Sequence, residues 1–94
     1  MCIRDSCSNY PAGYFNAYRE MALNKDIDLV LHLGDYLYEY AWDGYASERA
    51  IQMDRVVDPN HEILSLEDYR RRHATYRKDL DLKLLHSSLS LIHI

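Results

Sequence analysis

The chain has 94 residues, 48% of them hydrophobic, and a formal net charge of −4. This composition is typical of a folded protein rather than a disordered one, although so short a chain buries only ~60% of its unfolded surface. The acidic balance argues against a nucleic-acid-binding surface. Because the sequence contains no apolar run of about 20 residues, no transmembrane segment is expected.

The first predicted element is a helix over residues 11–23. Pro11 suits a first helical turn because the N–H that proline lacks would be unpaired there. The apolar stripe of this helix consists of Phe15, Tyr18, Met21 and Ala22. A turn then leads into a buried strand over residues 27–33. The order strand–helix–strand predicts a parallel strand pair with a right-handed crossover, whose first strand would precede Cys7.

The predicted strand ends abruptly at Gly34 and Asp35, and Tyr38 follows three residues after the aspartate. Sheets of this class build their sites at the carboxyl ends of the strands, so Asp35 is expected to project into a crevice. Gly34 allows the backbone to turn and to approach a ligand closely. The carboxylate of Asp35 and the phenol of Tyr38 are oxygen donors that suit a hard cation such as Fe(III). The alternative is a strand that ends in Gly-Asp only because these residues form turns.

Residues 40–64 lack a periodic pattern and predict a long surface loop with one short helix near residues 47–54. Ser65 and Asp68 approximate a capping box that opens the next helix. The expected buried face of that helix consists of Leu66, Tyr69, His73 and Tyr76. Asp79 is expected to cap a last helix that extends to His86.

Other candidate residues carry weaker signals. None of the five histidines has a partner at a ligand spacing such as His-x-x-x-His, and His32 is expected to be a buried structural residue. The arginines at positions 70–72 would attract phosphate, but a solvated helix face paired with Glu67 and Asp68 is favoured. Taken by itself, Cys7 is as readily a small buried hydrophobe as a ligand.

Three segments together resemble the PhoD-type alkaline phosphatases of the calcineurin-like metallophosphoesterase superfamily. They are Ser6-Cys7-Ser8-Asn9-Tyr10-Pro11 with Tyr14-Phe15-Asn16-Ala17-Tyr18-Arg19-Glu20, the strand and loop over 28–39, and Leu66-Glu67-Asp68-Tyr69-Arg70-Arg71-Arg72-His73-Ala74-Thr75-Tyr76-Arg77. The segments lie in the family's order over about residues 7–86. Gly-Asp-x-x-Tyr is shared with purple acid phosphatases, so the combination of segments carries the resemblance.

The resemblance implies an α/β fold that is a fragment of a metallophosphoesterase sandwich: a parallel strand pair with a crossover helix, then a long loop and two helices. It also implies hydrolysis of phosphate esters with Fe(III) and Ca²⁺. Cys7 and Tyr38 are similar to the family's iron ligands, and Asp35 to the carboxylate that bridges iron and calcium. The family's downstream Asp and His ligands have no counterpart here, so this chain alone is expected to have no useful phosphatase activity. Family members are typically bacterial proteins that are secreted, periplasmic or attached to the cell envelope.

Both ends of the chain depart from the family. Residues 1–6 do not resemble the hydrophobic strand that should lead into Cys7, and residues 89–94 stand where a strand should end in an acidic, His-containing motif. Both hexapeptides look like translated sequencing-adaptor sequence. We therefore expect a partial metallophosphatase domain over residues 7–88, with non-native ends at residues 1–6 and 89–94.

Two other interpretations remain open from the sequence. The first is a small non-catalytic α/β interaction module whose Tyr-rich loops bind a partner. Six of the nine tyrosines lie in or beside the Cys7 and Gly-Asp segments: Tyr10, Tyr14, Tyr18, Tyr36, Tyr38 and Tyr40. In such a module, replacing Asp35 or Tyr38 should leave metal content unchanged. The second is a chain that does not fold, because a very small parallel sheet leaves its edges unpaired.

Overall fold

A parallel sheet forms one layer of the fold. The computed structural model describes residues 2–5 and 7–93, with side chains described for residues 7–91. Within these residues, strands β1 (Cys2–Asp5), β2 (Leu29–His32) and β3 (Ser90–His93) lie in the order β1-β2-β3. Leu29 pairs with Cys2 on one side and with Ser90 on the other, and both ladders are parallel. The α/β class and the parallel pair are confirmed, and β3 adds a third strand.

Helix α1 (Asn16–Leu23) forms the crossover between β1 and β2. The predicted start of this helix at Pro11 was wrong. Pro11 lies in a separate 3-10 turn, Tyr10–Ala12, and Gly13 follows it in an extended conformation with φ 162°. An extended residue cannot continue a helical turn, so the chain begins the α-helix only at Asn16.

The segment over residues 40–64 is a long irregular loop, as predicted, but the short helix expected near residues 47–54 was also wrong. Residues 48–54 form a succession of turns. The backbone hydrogen bonds here follow mixed spacings: Ala50 N–H donates to Ser47, Met53 N–H to Arg49 and Arg55 N–H to Ala50. An α-helix requires one repeated spacing of four residues, so these turns do not form one.

Helices α2 (Leu66–Tyr76) and α3 (Leu80–Ser88) follow the loop. The predicted capping box is confirmed: Ser65 Oγ accepts from the backbone N–H of Asp68 at 3.1 Å, and Asp68 Oδ2 accepts from that of Ser65 at 3.2 Å. Asp79 caps α3 by accepting from the N–H of Leu82 at 2.9 Å. Local sequence signals therefore set the start of both helices.

The core lies between one face of the sheet and the helices. Val30 and His32 are fully buried on this face. The hydrophobic cluster around Val30 consists of Tyr10, Tyr18, Ile27, Val57, Tyr76, Leu82 and Leu85. On the opposite face of β2, Leu29 and Leu31 are half-buried, and Leu33, just beyond the strand, is 49% exposed. The strand is therefore covered by helices on one side only.

The buried face of α2 differs from the predicted one. Its buried residues are Arg72, Thr75 and Tyr76, whereas Leu66 is 65% exposed and Tyr69 and His73 are also exposed. Only Tyr76 of the expected face was correct. The reason is that α2 turns toward the polar backbone of the loops after β2, where Nη1 and Nη2 of the buried Arg72 donate to four carbonyl oxygens. The arginine run is thus not a uniformly solvated face.

The two ends expected to be non-native supply the backbone of β1 and β3. Parallel ladders are made by main-chain N–H and C=O groups, so pairing alone places few demands on side-chain identity. The foreign origin of the ends stays a prediction. Among the described residues, the helices lack the length and apolarity that a membrane span requires.

Candidate metal site

The carboxyl ends of β1 and β2 lead into two loops that run side by side. The backbone N–H of Cys7 donates to the carbonyl of Gly34 at 3.1 Å, and that of Ser8 donates to the carbonyl of Asp35 at 2.8 Å. These bonds continue the contact between the strands beyond the ends of the ladder. As a result, the loop that contains Cys7 is fixed directly against the loop that contains Asp35.

Both loops carry unusual backbone conformations at this point. Cys7 has φ 63° and Asp35 has φ 56°, while Gly34 between the strand and the aspartate has φ 138°. A non-glycine residue in the left-handed region costs about 1–2 kcal/mol. Glycine avoids that cost, whereas for Cys7 and Asp35 the surrounding hydrogen bonds hold the conformation in place.

The three residues predicted as metal ligands lie together. The Sγ atom of Cys7 is 3.7 Å from Oδ2 of Asp35, and the phenol oxygen of Tyr38 is 3.5 Å from the same carboxylate oxygen. Cys7 and Asp35 are exposed, and Tyr38 is half-buried. A thiol, a carboxylate and a phenol thus converge on one point at the surface of a crevice, as expected for strand ends of this sheet class.

Electrostatics at this point favour a neutral phenol. Partial burial raises the pKa of Tyr38, and the hydrogen bond with Cys7 and the negative charge of Asp35 raise it further. Each of these groups becomes an anion when it loses a proton, so ionising one disfavours ionising the next. A cation among the three would reverse this balance, because it stabilises every one of the anionic forms.

The donor set is unusual in its composition. In the part of the chain that the structure describes, no three His, Cys, Asp or Glu side chains are grouped closely enough to hold a metal ion. The third donor beside Cys7 and Asp35 is instead the phenol of Tyr38. Phenolate and carboxylate oxygens suit hard cations of high charge, whereas the thiolate of Cys7 is a softer donor, so the set combines hard and soft ligands.

Two depressions flank the ligand residues. One, of about 170 Å³, is lined by Cys7 and by the aromatic start of α1, including Tyr14 and Phe15. The other, of about 390 Å³, is lined by Asp35 and Glu39 together with Tyr69 and further residues of the same loop and of α2. The crevice predicted at the end of β2 is therefore open on both sides of the Cys7–Asp35 contact.

His32 has the structural role that was expected for it. It is fully buried, its Nε2 lies 3.1 Å from Ser8 Oγ, and its Nδ1 accepts from the N–H of Gly34 at 3.4 Å. Ser8 Oγ also hydrogen-bonds the hydroxyl of Tyr18. Because Nδ1 accepts, Nε2 carries the proton and donates to Ser8. His32 therefore connects the loop after β1, through Ser8, and the loop after β2, through Gly34, to the buried core.

Tyr36 links the site to the helices and was not predicted to do so. Its hydroxyl lies 2.8 Å from Nε2 of His86 on α3, and its ring stacks on His73 of α2 with centroids 5.8 Å apart. Burial raises the pKa of Tyr36 to about 12. The sequence shows that Tyr36 is next to Asp35, but no pattern near Tyr36 predicts its contacts with His73 and His86, which are far away in the sequence.

Comparison with known proteins gives consistent matches. A family model described as PhoD-like phosphatase matches residues 2–94. Alkaline phosphatase D from Bacillus subtilis (strain 168) is 46% identical over 83 residues, which is 88% of this chain and 14% of that protein. A solved structure described as "Structure of PhoD" superposes with a TM-score of 0.82 at 41% identity, covering 99% of this chain and 17% of the other. The chain therefore spans less than a fifth of the length of these relatives.

Proposed function

This chain belongs to the PhoD-like phosphatase family, and we propose that Cys7, Asp35 and Tyr38 supply part of the metal site of a phosphate-ester hydrolase. The observation that carries this proposal is the approach of the Cys7 thiol and the Tyr38 phenol to the same Asp35 oxygen, at 3.7 and 3.5 Å. Without a cation the thiol and the phenol are neutral and point toward the carboxylate, and a bound cation would stabilise their anionic forms so that all three act as ligands.

The chemistry of these donors fits the proposed metals. Carboxylate and phenolate are hard anionic donors that suit Fe(III), and carboxylate oxygen is a typical ligand of Ca²⁺. In this proposal Cys7 and Tyr38 would hold the iron, and Asp35 would be a ligand that iron and calcium share. When bound, the two ions neutralise phosphoryl charge and activate an attacking oxygen. The role of the chain itself is to hold the three donors at fixed positions beside the crevice.

Two features of the fold support this positioning role. The Cys7–Gly34 and Ser8–Asp35 backbone bonds set the two loops side by side. The depressions on either side of the contact leave open space next to the donors. We propose phosphate esters as substrates by analogy with the Bacillus subtilis relative, whose name identifies it as an alkaline phosphatase.

Metal binding by this donor set is tested by measuring the iron that the purified chain retains after Fe(III) loading and desalting. We expect the wild-type chain to retain iron and Asp35→Asn to lose it, because the substitution removes the carboxylate that the other two donors approach. Asp43→Asn, at an exposed position of the long loop, is the matched control and should behave as wild type. Equal retention by wild type and Asp35→Asn would contradict the proposal and favour the interaction module.

We further expect the 94-residue chain alone to lack useful phosphatase activity, since the family's downstream Asp and His ligands have no counterpart in it. A metal held by three donors from one side of a crevice lacks the further ligands that would complete the catalytic site and orient a substrate. The measurement is hydrolysis of a chromogenic phosphate monoester and diester by the chain loaded with Fe(III) and Ca²⁺. Metal-dependent turnover that Asp35→Asn abolishes would show that these donors suffice for catalysis.

A further inference from the structure

The three proposed ligands lie on two loops: Cys7 on the loop after β1, and Asp35 and Tyr38 on the loop after β2. The backbone hydrogen bonds between the two loops involve Gly34 and Asp35 but not Tyr38. The Cys7–Gly34 and Ser8–Asp35 bonds fix the first loop against Asp35. Tyr38 lies three residues further along, at a point where the chain has left the sheet. Its backbone therefore needs a separate anchor if its phenol is to stay beside the carboxylate.

That anchor is the hydroxyl of Tyr76. It accepts a hydrogen bond from the backbone N–H of Tyr10 at 3.2 Å and another from the backbone N–H of Tyr38 at 3.1 Å. Tyr10 belongs to the segment that follows Cys7, so one oxygen atom joins both ligand loops. A phenol oxygen has two acceptor positions, and both are used here.

The ring of Tyr76 is held rigidly by the core. The residue is fully buried, and its ring centroid lies 5.6 Å from that of Tyr10, 6.1 Å from that of Phe15 and 6.4 Å from that of Tyr36. A hydroxyl at the end of such a ring has little freedom to move. The Tyr76 hydroxyl therefore holds the backbone N–H of Tyr38 at a fixed position relative to α2.

Arg72 binds the carbonyl group of Tyr38, whereas Tyr76 binds its N–H group. It lies one turn before Tyr76 on α2, and its Nη1 donates to the carbonyl oxygen of Tyr38 at 2.6 Å. The N–H and the C=O of Tyr38 are therefore both bound to α2, four residues apart on one helix face.

We infer that Tyr76 is a positioning residue for the metal site: its hydroxyl sets the distance between the Cys7 loop and the Tyr38 loop and so the placement of the Tyr38 phenol. This inference rests on the proposed function, since it assigns Tyr76 a role toward the same three donors. Tyr76 itself touches neither Cys7 nor the Asp35 carboxylate in the contacts described, and it acts through the backbone of Tyr10 and Tyr38.

The test is a titration with Fe(III), supplied as its nitrilotriacetate chelate, of the folded wild-type chain and of Tyr76→Phe. Phenylalanine keeps the ring and removes only the hydroxyl, so we expect iron affinity to fall by about 10- to 100-fold, as is typical for residues that orient metal ligands. The phenolate-to-iron absorption band should also shift or weaken, because Tyr38 is less well placed.

A control variant separates positioning from general destabilisation. Thr75→Val removes a buried hydroxyl from the same helix, which donates to the carbonyl of Asp58 at 3.1 Å. It should bind iron as the wild type does when titrated at a temperature at which it is folded. A Tyr76→Phe affinity equal to that of Thr75→Val would overturn the inference.

The outcomes distinguish this inference from the proposed function. If the wild-type chain binds iron no better than Asp35→Asn, the proposed function fails. If wild type binds and Tyr76→Phe binds equally well with an unchanged band, only the role of Tyr76 fails. If Tyr76→Phe does not fold, the inference is tested by amide hydrogen exchange of the wild-type chain. The backbone N–H groups of Tyr10 and Tyr38 should then exchange slowly, and their protection factors should be similar. Rapid exchange of either amide would overturn the inference.

Discussion

The guanidinium of Arg72 donates a 2.6 Å hydrogen bond to the carbonyl oxygen of Tyr38, so a buried cation on α2 holds the backbone of a proposed metal ligand. The same side chain donates to the carbonyl oxygens of Tyr40, Pro59 and His61 at 2.8–3.1 Å. Arg72 is 1% exposed, and burial lowers the pKa of its guanidinium. It thus joins the segment after β2 to the far end of the long loop.

Arg72→Lys should destabilise the chain markedly. A lysine ammonium lacks the planar fork that reaches four carbonyl groups, so buried acceptors would be left without donors. We expect the free energy of unfolding to fall by about 2–3 kcal/mol in urea denaturation. Arg70→Lys, two residues earlier on an exposed face, should change it by less than about 0.5 kcal/mol. Equal effects of the two substitutions would show that the four bonds contribute little.

A second buried cation, Arg55, forms an ion pair with Asp79. The Nη1–Oδ2 distance is 2.7 Å, and the side chains are 4% and 3% exposed. Arg55 also donates to the carbonyl of Tyr10 at 2.7 Å and lies over the Tyr10 ring at 3.9 Å from its centroid. The pair therefore connects the long loop, the start of α3 and the segment that follows Cys7.

Removing both charges of this pair should cost less than the sum of the two single removals. Asp79→Asn leaves the guanidinium buried without its counter-charge, and we expect a loss of about 3–5 kcal/mol in the free energy of unfolding. The double variant Arg55→Met/Asp79→Asn should lose less than the sum of the two single losses. Additive losses in a double-mutant cycle would mean that the two side chains do not interact energetically.

Several of these features were predictable from sequence because their signals are local. The Ser65–Asp68 capping box and the Asp79 cap depend on residues three positions apart, and both were confirmed. The meeting of Cys7 with Asp35 follows from strand order, since adjacent parallel strands end at the same edge of a sheet. Short-range chemistry and topology together were enough to predict that these residues lie close to one another.

The parts that were missed depend on contacts across long stretches of sequence. Arg72 was assigned to a solvated face because nothing nearby in the sequence shows that four distant carbonyl groups surround it. Tyr76 was predicted to be buried, but its bonds to the two ligand loops are set by tertiary packing. The helix expected near residues 47–54 was wrong because the backbone hydrogen bonds there follow mixed spacings in place of a continuous ladder between residues four apart.

Acid should weaken the link between α2 and the long loop. Asp58 accepts from Nε and Nη2 of Arg71 at 3.1 and 2.6 Å, and this hydrogen bonding, with the attraction of the guanidinium, lowers the pKa of Asp58. A carboxyl whose pKa is lower in the folded state stabilises the fold above its unfolded pKa of about 3.9 and loses that contribution as pH falls through the folded value.

The expected measurement is the free energy of unfolding in urea as a function of pH. Between about pH 5 and pH 2.5 the wild-type chain should lose more stability than Asp58→Asn, whose side chain no longer titrates. The difference should be small, because both partners are about half exposed and water screens the pair. Asp43→Asn should keep the wild-type acid dependence. If Asp58→Asn lost more free energy of unfolding in acid than the wild type, the pKa of Asp58 would not be lowered by folding, and the prediction would be wrong.

The most direct test of the metal site is the visible absorption of the chain after addition of Fe(III). If Tyr38 binds iron, the wild-type chain develops a phenolate-to-iron charge-transfer band. Tyr38→Phe should lack that band. Tyr40→Phe should keep it, although the Tyr40 ring stacks on Tyr38 at 5.9 Å with an interplanar angle of 13°. A phenolate band that persists in Tyr38→Phe, or the absence of a phenolate band from the wild-type chain, would contradict the proposed metal site.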